Sequence, residues 1–91
     1  MPSFHGLPAA DLIDAGLADL AEGRETPEAL VVSIGAPRLR SLGVSVPPTI
    51  ANPEHRLYGL LRQRDDDSAH ARYNALVRRL VSFERALACV S

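Results

Sequence analysis

The sequence predicts an all-α fold, a compact bundle of four to five helices with a long amphipathic C-terminal helix and a proline-rich central loop. Apolar residues recur at spacings of three and four along most of the chain, which is the period of an amphipathic helix. The 7 prolines and 6 glycines fall between these periodic stretches, where helices begin and end. We therefore expect one domain, residues 1–91, packed around the C-terminal helix.

Proline, glycine and capping residues predict the boundaries of five helices. The first begins after Pro8, and the second begins at the Thr26-Pro27 pair, where threonine caps the helix and proline takes the first helical position. Gly35 and Pro37 interrupt the apolar run that follows and divide it into two short helices. The expected helices cover residues 9–22, 27–35, 37–42, 53–64 and 68–90.

The segment 44–51 is the stretch that does not fit a helix. Val44-Ser45-Val46 alternates as a strand does, but Pro47-Pro48 ends the alternation and no second strand is available for pairing. We expect a connecting loop with polyproline-like character, which is a place where the chain can hinge or a partner can dock.

The last helix carries a seam of apolar residues in steps of three and four, which is a heptad-like pattern. The seam is longer than a bundle of this size needs to bury, so it predicts an interface with a second copy of the chain or with another protein. Three arginines frame this contact and set its orientation. The expected interface residues are Tyr73, Leu76, Leu80, Phe83, Leu87 and Val90 of the seam, with Arg78, Arg79 and Arg85 beside it.

Charge is unevenly distributed along the chain. Residues 1–54 carry a net charge of −4 and residues 55–91 a net charge of +3, and all 10 basic residues are arginines. An acidic front half that packs against a basic back half explains this distribution, and the arginine bias is typical of a GC-rich, bacterial-type coding sequence. A basic patch for nucleic acid is the alternative, although a sequence pI near 6.3 does not favour it.

No arrangement typical of catalysis, of a cofactor loop or of a metal site is visible. His55 and His70 have no second histidine at helical spacing, and Cys89 is the single cysteine, so neither a zinc cage nor an internal disulfide is expected. Asp65-Asp66-Asp67 lacks the alternating ligands and the glycine of a calcium loop. We predict a protein that is not an enzyme, with no catalytic, cofactor-binding or metal-binding residues.

Arg64 and His70, with five residues between them, provide one enzymatic alternative. Their spacing resembles the Arg-x(4–6)-His signature of HEPN domains, which are all-α and include toxin-type ribonucleases, and it covers seven residues of this chain. The resemblance implies that Arg64 stabilises phosphate charge while His70 moves a proton during RNA cleavage. The three aspartates between the two residues favour a simple turn between helices instead.

A helix-turn-helix over residues 28–44 is a second alternative, with the turn at Gly35 and with Arg38 and Arg40 facing a DNA groove. Pro37 leaves only a short second helix, so ordinary packing in the bundle is favoured. Arg-rich helix faces make binding to DNA or RNA possible but not preferred, since no aromatic residues interleave with the arginines.

The sequence therefore predicts a non-enzymatic protein–protein interaction module or small complex subunit, with a homodimer through the C-terminal helix as one form of it. Its expected partner is itself or another protein, with no cofactor. No signal peptide and no apolar run long enough to span a membrane are visible, so we expect a cytoplasmic protein without a membrane partner.

Overall fold

The computed structural model describes Phe4 and residues 6–90, which form four α-helices and no strands. The predicted all-α class is thereby confirmed. None of the four helices has both the length and the apolar character needed to cross a membrane. The helices are α1 (Ala10–Ala21), α2 (Pro27–Ser41), α3 (Pro53–Arg64) and α4 (Ala69–Val90).

α2 begins at the predicted cap. The Thr26 hydroxyl oxygen accepts a hydrogen bond from the backbone N–H of Ala29 at 3.1 Å, and Pro27 is the first helical residue. Thr26 also donates its hydroxyl proton to Asp19 of α1 at 2.6 Å, which joins the end of one helix to the start of the next. The capping residue that precedes Pro53 behaves differently, because Asn52 adopts a left-handed φ of 52° and its side chain makes no capping hydrogen bond.

The predicted break between residues 35 and 37 is wrong. α2 continues through Gly35 and Pro37 to Ser41, so one helix replaces the two short ones. Proline inside a helix removes one backbone hydrogen bond, and packing on several sides of α2 compensates for that loss. Gly43 lies just beyond the end of the helix at Ser41, and its φ of 93° suits glycine and lets the N–H of Val44 bond to the carbonyl of Leu39 at 3.0 Å.

α2 lies at the centre of the bundle, where the sequence predicted α4. It contacts each of the other three helices, whereas α4 packs mainly on α2 and α3. Nine residues of α2 are buried, which explains why its sequence is apolar on nearly every side. The core side chains that are completely or almost completely shielded from solvent are Ile13, Leu30, Val31, Val32, Leu39, Leu57 and Phe83.

Two glycines allow helices to approach α2 closely. A Cβ atom on Gly16 of α1 would lie 2.4 Å from the carbonyl oxygen of Glu28, and one on Gly35 of α2 would lie 2.7 Å from Cδ1 of Leu80. At Gly16 the Cβ atom would meet backbone, so the crossing of α1 and α2 requires glycine, whereas at Gly35 a movement of the Leu80 side chain would relieve the contact. Gly35 is therefore a packing residue under α4 and not a turn.

Residues 44–50 form the predicted loop without regular structure, and they are fastened to α2. Arg40 donates from Nη2 to the carbonyl oxygen of Pro47 at 3.3 Å. The buried hydroxyl of Ser33 donates to the carbonyl of Ala29 at 2.9 Å and accepts the N–H of Ile50 at 3.2 Å. Val44 is buried at the start of this loop and Ile50 bonds to Ser33 at its end, so the segment is a strap held at both ends.

Candidate functional site

The apolar seam of α4 lies largely inside the chain. Leu80 is 3% exposed, Phe83 0% and Leu87 9%, so these three side chains already form the hydrophobic core and are not free for an interface in this conformation. Phe83 makes an edge-to-face contact with Phe4 at a ring separation of 5.2 Å. These three side chains belong to the core that the helices of one chain share, and their part in an interface stays a prediction.

The other seam residues have mixed environments. Tyr73 and Leu76 are half-buried against the core, and Tyr73 packs edge-to-face on Tyr58 of α3 at 5.9 Å. Burial raises the pKa of the Tyr73 hydroxyl. Val90, at the end of the helix, is 69% exposed. Val90 is thus the exposed large apolar side chain of the seam, at its C-terminal end.

The three arginines expected to frame the interface separate into two groups. Arg79 pairs with Asp11 of α1, whose Oδ1 lies 3.0 Å from Nη2 of the arginine. Arg78 and Arg85 lie on the solvent side of α4, and neither takes part in an ion pair within the described residues. The seam and these arginines thus do not form one continuous patch.

The helix-turn-helix interpretation is wrong because α2 is continuous through the expected turn. Arg40 holds the strap through the carbonyl oxygens of Val46 and Pro47. Arg38 lies near Glu84 of α4, where its charge partly offsets the rise in the pKa of that carboxyl caused by burial. Both arginines thus have structural roles within the chain.

Arg64 and His70 do not converge on a common site among the described residues. Arg64, the last residue of α3, lines a cleft together with Arg72 of α4. His70 precedes Arg72 by two positions, and residues two apart on a helix point to opposite sides. The His70 ring instead lies 3.2 Å from the amide of Asn74. A single chain therefore does not bring Arg64 and His70 into a shared site, and a site formed across a dimer, as the HEPN resemblance implies, stays a prediction.

The cleft that contains Arg64 is the main candidate site. It has a volume of about 310 Å³ and lies where the N-terminus of α2, the C-terminal end of α3 and the first half of α4 meet. We call it the arginine cleft. Its lining consists of Pro27, Glu28, Leu61, Arg64, Arg72, Ala75, Leu76 and Arg79.

Three guanidinium groups surround an apolar floor in the arginine cleft. Leu61 is buried and Leu76 half-buried, and they bring the hydrophobic core to the bottom of the cleft. Arg64 ends α3, and only four residues separate it from the start of α4, so Arg64 and Arg72 lie at the same end. Arg79 is two turns further along α4. An anionic group above the cleft would meet cations at both ends.

Two of the three guanidinium groups are oriented by neighbouring side chains. Nε of Arg72 donates to the hydroxyl oxygen of Ser68 at 3.1 Å, and Nη2 of Arg79 donates to both carboxylate oxygens of Asp11 at 3.0 and 3.3 Å. This pairing with Arg79 lowers the pKa of the Asp11 carboxyl, so Asp11 stays charged at neutral pH. Glu28 is the acidic residue of the lining and limits the net positive charge.

The sequence did not identify the arginine cleft as a site. From the sequence, Arg79 is expected to frame the seam and Arg64 to form half of a catalytic pair. The available signal was the series Arg72, Leu76 and Arg79 on one edge of α4, since steps of four and three place all three on the same side of a helix. That this edge faces α3 and α2 depends on tertiary packing.

The other features of the surface are weaker candidates for a functional site. A second cavity of about 430 Å³ lies beside α3, but its two charged residues, Glu25 and Arg56, pair with each other at 2.9 Å. No group of three or more histidine, cysteine, aspartate and glutamate side chains among the described residues is placed to hold a metal ion. Cys89 is free and exposed.

Comparison with protein-family models, with curated proteins and with solved structures found no match to this chain. Its function is therefore inferred from the chemistry of its own surface.

Proposed function

We propose that this chain is a non-enzymatic protein-binding module, and that its arginine cleft docks an acidic segment of another protein. The observation that carries the proposal is the placement of three arginines around the leucines Leu61 and Leu76. Such a site suits a ligand that has both carboxylates and an apolar side chain. As the sequence analysis predicts a cytoplasmic protein, we expect the chain to bind this partner in the cytoplasm.

Charge and burial must act together in such a site. Exposed ion pairs contribute only about 0–1 kcal/mol each, so arginines alone would not select a partner. Burying one leucine-sized side chain contributes roughly 2 kcal/mol, and the apolar floor of the cleft offers a place for it. Arginine adds orientation, because its planar group binds a carboxylate through two parallel hydrogen bonds.

The lining of the cleft supports binding over catalysis. Arginine, leucine, proline and alanine side chains supply neither a nucleophile nor a group that exchanges protons near neutral pH. Glu28 is the exception, and no histidine lines the cleft with it. A protein ligand is also favoured over nucleic acid, because no aromatic side chain lines the cleft, so the stacking surface typical of single-strand binders is missing.

The test is titration of a fluorescent acidic peptide that carries glutamates on either side of a leucine, at about 50 mM salt, where screening is weak. We expect Arg64→Gln and Arg72→Gln each to weaken binding about fivefold, which corresponds to the loss of about 1 kcal/mol. Arg78→Gln is the matched control, since it removes the same charge from the solvent side of α4, and it should leave affinity within about twofold.

Two results would contradict the proposal. One is a peptide affinity that falls equally in Arg72→Gln and Arg78→Gln, which would indicate attraction by overall charge and not by the cleft. The other is displacement of the peptide by a short single-stranded RNA at equal concentration, which would favour nucleic acid as the partner.

A further inference from the structure

We infer that the partner segment is an α-helix with two acidic side chains seven positions apart and a leucine-sized residue between them. This inference rests on the proposed function and specifies the ligand of the same cleft. It comes from the spacing of the cationic and apolar groups along α4, and from the way in which the two guanidinium groups at its ends are held.

The first step is the distance between the two ends of the cleft. Arg72 and Arg79 are seven residues apart on α4 and both line the cleft, so their backbone positions are about 10.5 Å apart along the helix axis. Leu76 lies between them on the same side. The cleft thus presents cation, apolar contact and cation in a line.

The second step concerns which backbone can match this line. In an extended chain, a separation of about 10 Å corresponds to three residues, and side chains three apart in a strand point to opposite faces. Side chains two or four apart share a face, but they lie about 7 or 13 Å apart. In a helix, positions i and i+7 share a face at about 10.5 Å, and i+3 or i+4 lies between them on that face.

The third step is the restraint on the two end arginines. The hydroxyl of Ser68 holds Arg72 at one end, and the carboxylate of Asp11 holds Arg79 at the other. Side chains that are already oriented lose less conformational freedom when they bind. The separation of the two cations is therefore partly set before a ligand arrives, and the cleft can discriminate between ligands by the spacing of their charges.

The two ends are also unequal. Arg64 and Arg72 both lie at the end next to the α3–α4 turn, whereas Arg79 shares its charge with Asp11. We expect the acidic side chain at the Arg64–Arg72 end to contribute more to binding than the one at the Arg79 end.

The experiment uses two helical peptides of identical composition, each about 14 residues long so that it spans the cleft. The matched peptide has glutamates at i and i+7 with leucine at i+4. The shuffled peptide has its glutamates at i and i+5, which places them on different faces of the helix. Affinity for the wild-type chain is measured by calorimetry, and helix content of both free peptides by circular dichroism.

The inference predicts that the matched peptide binds about tenfold more tightly than the shuffled one. It also predicts that Arg72→Glu abolishes this preference. A matched peptide with one glutamate changed to lysine should bind the Arg72→Glu variant more tightly than the original matched peptide does. Arg78→Glu is the control with the same change of charge, and it should keep the preference.

Equal affinities for the two peptides, each reduced by Arg72→Glu but not by Arg78→Glu, would overturn the inference about spacing and leave the proposed function standing. Failure of both peptides to bind would overturn both. Tighter binding of the shuffled peptide would also contradict the inference.

Discussion

The carboxylate of Asp11 accepts two hydrogen bonds from Nη2 of Arg79, at 3.0 and 3.3 Å, across 68 residues of sequence. The pair joins α1 to α4 at the edge of the arginine cleft. Asp11 is 82% exposed and Arg79 46% exposed, so the pair adds little to stability. Its main consequence is that an acidic ligand must share Arg79 with Asp11.

Asp11→Asn is expected to strengthen binding of an acidic peptide about threefold, because the variant releases Arg79 from a competing carboxylate. The melting temperature should change little. Asp14→Asn is the matched control, since it removes the same charge from the same helix without touching Arg79. Weaker binding in Asp11→Asn would show instead that Asp11 is needed to position the guanidinium group.

Gly16→Ala is expected to destabilise the fold, because its Cβ would lie 2.4 Å from the backbone carbonyl oxygen of Glu28 and α1 would have to move. We expect a loss of about 2 kcal/mol in the free energy of unfolding. Gly59→Ala is the contrasting variant. It has open space around the Cβ position in α3, so it should gain about 0.8 kcal/mol from helix propensity. Denaturant unfolding measures both, and equal effects would contradict the close crossing of α1 and α2.

Ser33→Ala is expected to release the strap, because it removes the acceptor for the N–H of Ile50. We expect a loss of about 1.5 kcal/mol and faster hydrogen exchange at the Ile50 amide. Ser41→Ala is the control, since its exposed hydroxyl bonds only to the carbonyl of Arg38 in its own helix, at 2.7 Å. Unchanged protection of Ile50 in Ser33→Ala would show that the strap does not depend on this bond.

Stability should depend on pH through Glu84, which is half-buried between Gly35 and Arg38. Burial raises the pKa of this carboxyl above its ordinary value of 4.5, and the charge of Arg38 only partly offsets that effect. The folded state therefore binds more protons than the unfolded state between the two pKa values. The contribution of Glu84 to the free energy of unfolding is therefore fully present below pH 4.5, and it is lost as the pH rises through the pKa of this carboxyl in the folded state.

Glu84→Gln removes this titration, so the variant should be at least as stable as wild type at pH 7. Its stability should also rise less than that of wild type between pH 7 and pH 5. The pH dependence of stability that comes from Asp19 has the opposite sign. The Thr26 hydroxyl, and then Arg24, lower the pKa of its carboxyl below the ordinary value of 3.8. Its contribution to stability is therefore present above pH 3.8 and is lost as the pH falls through the folded pKa. Identical pH profiles for Glu84→Gln and wild type, measured by denaturant unfolding, would contradict this assignment.

The helix boundaries could be predicted from the sequence because they depend on local chemistry. The Thr26-Pro27 start, the Gly43 end and the long last helix all follow from capping and periodicity. The continuity of α2 through Pro37 could not be predicted, because a local rule breaks the helix there and only its burial among three other helices restores it. The same burial explains why α2, and not α4, is central.

The candidate site was harder to predict for a related reason. A heptad pattern predicts that Leu80, Phe83 and Leu87 are buried, but it does not indicate whether the same chain or a partner supplies the surface that covers them. In the fold the same chain buries these three side chains, and Leu80 packs closely on Gly35 of α2. The arginine cleft depends on the same packing, because residues of three helices contribute to it.

Chemical-shift mapping by NMR tests the central claim most directly. Amide spectra of the chain labelled with ¹⁵N are recorded while the matched acidic peptide is added. The proposal predicts that the largest shifts fall at the residues that line the cleft, and that they saturate together: Glu28, Leu61, Arg64, Arg72, Leu76 and Arg79. Shifts centred on Arg78 and Arg85 with those of the cleft unchanged, or no shifts at all, would contradict the arginine cleft as the docking site.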